Sequence, residues 1–154
     1  MELNITIKGL DAVASRLDKV SADTQAKLKD AMESSVGDIQ ERARKNHRYI
    51  TRTGDAERSI KTSVSFARDD ISGIVGTTRK ITVYLHQGIK RHTIVPRRKM
   101  ALRWTNGSQF IFAKRVRHPG TKKDPFIFNA VHGEQRRIIS RFEKAVRQAI
   151  GEAY

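Results

Sequence analysis

A chain of 154 residues and 17.5 kDa fits one domain, long enough to bury about 68–70% of the surface its unfolded form exposes. It contains no cysteine, which excludes a disulfide framework, a cysteine-ligated zinc site and a thiol nucleophile. Its 31 basic and 16 acidic residues give a net charge of +15, and thirteen of the basic residues fall between Ile71 and Lys123, a stretch with no aspartate or glutamate.

Leu3, Ile5 and Ile7 alternate with polar residues, the period of a half-buried strand, and Gly9 ends it. This opening has no apolar signal region, and no apolar run approaches the roughly 20 residues of a membrane span, so the cytosol is the default compartment. From Leu10 the period lengthens: Leu10, Val13, Leu17, Val20, Thr24, Leu28, Met32, Val36, Ile39 and Ala43 form one stripe at helical spacing, with Ser21 and Asp23 able to cap a fresh helix. Such length exceeds what a small domain covers alone, so part of the stripe is expected on a neighbouring subunit, unless the helix lies across its own sheet. Ile60, Thr62, Val64 and Phe66 then alternate up to an Arg68-Asp69-Asp70 turn, and Ile71 to Thr77 reads as the returning strand. A connection through Tyr84, His86, Gly88 and Pro96 leads to a second hairpin, Ala101–Trp104 and Phe110–Phe112, turning at Asn106-Gly107. Asp124-Pro125 offers an N-cap and a first-turn proline for a C-terminal helix running to about Gly151, with Gly133 as its weak point. The expected fold is α+β: a long N-terminal helix and a C-terminal helix packed on a small, mainly antiparallel sheet built from two hairpins and an N-terminal strand.

Site chemistry is sparse. His47, His86, His92, His118 and His132 include no pair at i, i+4, and paired carboxylates are missing from the acid-free block, so no metal, cofactor or catalytic residue is expected. No Gly-x-Ser-x-Gly elbow or phosphate-binding loop occurs. Gly73-Ile74-Val75-Gly76 has the spacing of an RNA-binding Gly-x-x-Gly loop, but within a strand-like run it reads as a twisted or bulged strand. Trp104, Phe110 and Phe112 near Arg103, Lys114, Arg115 and Arg117 could stack bases and hold phosphates; hairpin alternation, with aromatics inward and cations outward, also accounts for them.

The basic residues carry more weight. Lys90, Arg91, Arg97, Arg98 and Lys99 lie on one expected loop, an insert at about residues 88–100, and Lys114, Arg115, Arg117, Lys122 and Lys123 form a second basic surface. Like charges without counter-charges repel one another, which favours an acidic partner: phosphate, an acidic protein surface, or another copy's helices.

In order, Gly9-Leu10 before the long helix, Thr53-Gly54 before Ser59-Ile60, Val75-Gly76-Thr77, Tyr84-Leu85-His86-Gln87-Gly88, His118-Pro119-Gly120-Thr121 and Pro125-Phe126-Ile127 with Ala130 span nearly the whole chain. This series resembles the minor tail-component family of tailed bacteriophages, also called neck or tail-completion proteins. The stretch Ile94 to Trp104 is similar to an Ile-Val-Pro then Lys-x-Ala-Leu-x-Trp segment in a subset of that family. The family often has a glutamate before the glycine of the tyrosine segment; Gln87 stands there instead, which removes a salt bridge.

The resemblance implies a single neck-like domain over residues 1–154, a structural virion protein with no enzymatic activity, assembled in the host cytoplasm and located at the head–tail junction. It implies a ring of about six or twelve copies around the DNA path, with repeated heterologous contacts. The implied partners are portal, adaptor or head-completion proteins on one side and tail terminator or tail tube proteins on the other, with double-stranded DNA as a further contact and no membrane. A free basic nucleic-acid-binding protein is the alternative, distinguished by steep salt dependence.

Overall fold

The computed structural model describes residues 3–7, 22–67 and 70–151. The first alternating segment is strand β1 (Leu3–Ile7). The long helix is α1 (Ala22–Lys45); Leu10 to Val20 of its stripe and Ser21 lie outside the described residues. A one-turn helix, α2 (Asp55–Arg58), follows Gly54, whose φ of 69° is the left-handed backbone that favours glycine. Strands β2 (Lys61–Ala67) and β3 (Asp70–Thr77) form the first hairpin with Ala67 opposite Asp70; residues 68–69 of its turn are not described. β1 pairs with the other edge of β3, Leu3 facing Thr77 and Ile7 facing Gly73, so the sheet runs β1-β3-β2, all antiparallel.

Where the sequence suggested only a connection, Lys80–Gln87 forms a helix, α3. Thr82, Val83 and His86 bury one side of it, but two turns are too short for a helical period to stand out among β-branched neighbours. Next come β4 (His92–Ile94), β5 (Leu102–Asn106), β6 (Gln109–Ala113) and β7 (Val116–His118), then helix α4 (Phe126–Gly151). The α+β class and both long helices stand as expected. The second hairpin forms a sheet of its own, β5–β6, and β4–β7 forms another.

α1 lies between the three-stranded sheet and α4. Leu28, Met32, Val36, Ile39 and Ala43 are buried together with Ile60, Ile71 and Val75 from the sheet side and Phe126, Ala130, Ile138 and Phe142 from α4. The described part of the stripe is therefore covered within the chain, and the expectation of a neighbouring subunit on it does not hold there. Gly73 permits the close approach of β3, since a Cβ would sit 2.5 Å from Val36 Cγ1 and 2.7 Å from Met32 Sδ; the first glycine of the Gly-x-x-Gly run thus serves packing within a strand. α4 runs antiparallel to α1: Arg42 meets Glu134 at 2.8 Å, and Arg141 meets Asp38 at 2.5 Å and Ser35 Oγ at 3.0 Å. The helix continues through Gly133, where a side chain would press on the Arg42 guanidinium on its way to Glu134.

Residues behind the family resemblance turn out to hold this frame together. Ser59 Oγ lies 2.9 Å from Thr77 Oγ1 and 2.8 Å from Thr82 Oγ1, joining the ends of α2 and β3 to α3. His86 packs edge-on against Phe126, ring centroids 5.3 Å apart. Asp124 has a different role from the expected helix cap: its carboxylate accepts the Arg48 backbone N–H at 2.6 Å, fixing the loop after α1 against the start of α4.

Candidate partner-binding arm

Between α3 and α4 the chain leaves the body and returns to it as an arm. Ile89 and Thr121 close its root with a reciprocal pair of backbone hydrogen bonds, each 2.9 Å. Gly88 and Gly120 flank that pair at φ 78° and 92°. A Cβ on Gly88 would lie 2.9 Å from Lys123 N and Thr121 O, and one on Gly120 would run into the Ile89 carbonyl, so the two chain segments approach this closely only as glycines. His118 Nδ1 accepts the Gly120 N–H at 3.0 Å and fixes the same corner.

β4 and β7 form the stem, pairing His92 with His118, Thr93 with Arg117 and Ile94 with Val116. The two imidazoles stack at 5.0 Å. β5 and β6 form the outer ribbon, closed by Asn106 opposite Gln109. The turn is displaced by one residue from its sequence signal: its two central positions are Gly107 and Ser108, and only Gly107 has positive φ, as a type II′ turn requires. Residues expected to form a free basic loop thus include a paired strand, His92–Ile94, and the unpaired loop is the part from Val95 to Ala101.

The ribbon has no inside. Register places Trp104 opposite Ile111 on one face, and Arg103 opposite Phe112, with Phe110 diagonal to it, on the other. Trp104, Phe110 and Phe112 are 40%, 58% and 64% exposed, and Met100 beside them 95%. The expectation that aromatics turn inward fails because no second layer covers either face of a two-stranded ribbon. Arg103 lies over the Phe110 ring, its Cζ 4.6 Å from the centroid.

Lys90, Arg91, Arg97, Arg98, Lys99, Lys114, Arg115, Arg117, Lys122 and Lys123 are all exposed. Among the described residues no ion pair involves any of them, whereas body cations are matched repeatedly: Lys27 with Asp23, Lys45 with Glu41, Arg79 with Asp55, Arg137 with Glu134. Arg97, Arg98 and Lys99 share a concavity of about 630 Å³ with Arg103 and Phe112. Lys114 and Arg115 lie in the link between β6 and β7, Arg117 lies on β7, and Lys122 and Lys123 lie at the root, so the structure spreads the basic residues along the arm and gathers only the first trio. Arg103, which the sequence groups only with the ribbon aromatics, joins the trio in this concavity. The signal was the cross-strand register, which sets it opposite Phe112.

A cluster of half-buried and buried titratable groups lies behind the root. His47 faces two acceptors, the Tyr49 carbonyl at 3.1 Å from Nδ1 and Glu57 Oε1 at 3.3 Å from Nε2, and its ring stacks on Tyr49 at 3.8 Å. Burial pushes Glu57 upward, but the Thr51 hydroxyl bond and His47 bring its pKa below the usual carboxylate range. Burial, reinforced by Glu57, pushes the Tyr49 hydroxyl up. His86 is 1% exposed between Phe126 and Phe128, and neither ring nitrogen has a hydrogen-bond partner among the described residues. Desolvation, helped by Lys123 and opposed by Asp124, lowers its pKa. These groups brace the junction of α1, α2, α3 and α4. Among the described residues no three His, Asp or Glu side chains converge as metal ligands, and no helix is long and apolar enough to cross a membrane.

Comparison of the chain with protein-family models, curated proteins and solved structures finds no match.

Proposed function

We propose that the chain is a structural component of the head–tail junction of a tailed bacteriophage, a neck or tail-completion protein. It assembles as a ring between the portal or head-completion complex and the tail terminator or tube, around the DNA path. The observation that carries this reading is the arm: unpaired cations and exposed aromatics on a two-stranded ribbon rooted in a body whose own core is closed. Such a surface, with an apolar patch and one sign of charge, is suited to burial against a partner. No catalytic step is assigned to it.

Quantitative mass spectrometry of purified particles tests the reading. It predicts a fixed ratio of copies per portal ring, as a closed ring gives, with about six or twelve as the numbers that the resemblance implies. Absence of the chain from particles would refute it. The same reading predicts that reversing the charge of Arg97, Arg98 and Lys99 together blocks particle completion; full infectivity of that variant would remove the trio from the mechanism.

A further inference from the structure

Resting on the neck reading, we propose that the concave face of the arm, formed by Arg97, Arg98, Lys99 and Arg103 around Phe112, binds the phosphate backbone of double-stranded DNA. Four cations line one concavity of about 630 Å³, and none has an acidic partner among the described residues. Arg103 Cζ lies 4.6 Å from the Phe110 ring centroid, and no carboxylate among the described residues pairs with its guanidinium, whose planar fork suits phosphate.

The alternative occupant, an acidic protein surface, fits less well. On this chain's own α1, Asp23, Glu33 and Glu41 each already have a lysine one turn away and Asp38 meets Arg141, so of the acids that a second copy's α1 would offer only Asp30 is unmatched among the described residues. A DNA duplex carries one negative charge per roughly 1.7 Å with no interspersed cations. Its major groove, about 12 Å wide, admits a two-stranded β-ribbon. The β5–β6 ribbon is free on both faces, so it can enter such a groove while the Arg97–Lys99 loop follows the backbone.

The test is fluorescence anisotropy of a labelled duplex of mixed sequence with the purified full-length chain, titrated from low to physiological salt. The expected result is binding whose log affinity falls linearly with log salt. In the R97A/R98A/K99A/R103A variant the slope should shrink by roughly 0.9 for each phosphate that is no longer neutralised. An R136A/K144A variant, which removes two cations from α4, should keep the wild-type slope. No detectable binding at low salt, equal slopes in wild type and the quadruple variant, or a loss in R136A/K144A as large as in the quadruple variant would each overturn the proposal. So would a preference of tenfold or more for a single strand of the same length. Failure here is separable from failure of the neck reading: particles with a fixed copy number of a chain that ignores DNA would remove only the DNA site. Arm-dependent DNA binding by a chain absent from particles would remove the neck.

Discussion

The body and the arm of this protein follow opposite rules. The body has a closed apolar core and several matched cations: Met32, Ile39, Phe126 and Ile127 are completely buried, and Arg42, Arg137 and Arg141 meet Glu134 or Asp38, while Ile50, Ile81, Phe128 and Ile139 stay exposed on its surface. In the arm, Phe110, Phe112 and Met100 face outward, and the cations from Lys90 to Arg117 take no part in ion pairs with described residues. One chain thus contains a packed body and a segment whose cations and aromatics are left unmatched among the described residues. The two regions meet at a root made rigid by Gly88, Gly120 and the Ile89–Thr121 bonds.

The contrast predicts a graded series of effects. Phe126→Ala, at the centre of the body, should lower the stability to chemical denaturation by about 3–5 kcal/mol; a loss under about 1 kcal/mol would mean that α4 is not held where described. Gly120→Ala strains a backbone at φ 92° and should cost about 1–3 kcal/mol in the same assay. His86→Leu removes two unpartnered buried nitrogens and should stabilise by about 1 kcal/mol. The same residue sets a pH dependence. Its pKa is lowered in the folded state, so the unfolded chain binds the proton first, and stability should fall as pH drops below about 6.5, more steeply in wild type than in His86→Leu. Identical slopes in the two proteins would mean that His86 is not buried as a neutral ring. The smallest effect is expected in the arm: R97A/R98A/K99A should leave stability within about 0.5 kcal/mol. A large loss there would show that these cations serve the fold, and would erase the distinction between the regions.

The sequence made the body more legible than the arm, for a physical reason. Burial imposes a period, and α1, the first hairpin and α4 carry it from Leu28 to Ala145. α3 has only two turns, and Ile81, Val83 and Leu85 alternate across it, so its period reads as strand or loop. In the arm no burial acts to write a period. Alternation at Phe110 and Phe112 was correct for a strand and still misleading about which side is covered, because that depends on whether another layer is present. The Asn106-Gly107 signal located the turn to within one residue. The basic trio Arg97–Lys99 was visible as composition, whereas Arg103 joined it only through its register with Phe112.

Amide hydrogen exchange, measured on the full chain alone and on the chain within the head–tail junctions in which we propose it sits, tests the division between body and arm most directly. Opening free energy tracks local burial, so the free chain should exchange rapidly along β4 to β7 and slowly in α1, β3 and α4. Assembly should then protect the arm, with Leu102–Ala113 showing the largest gain, while the buried positions of α1 change little. Slow exchange of the arm in the free chain, or protection on assembly confined to the body, would contradict the account.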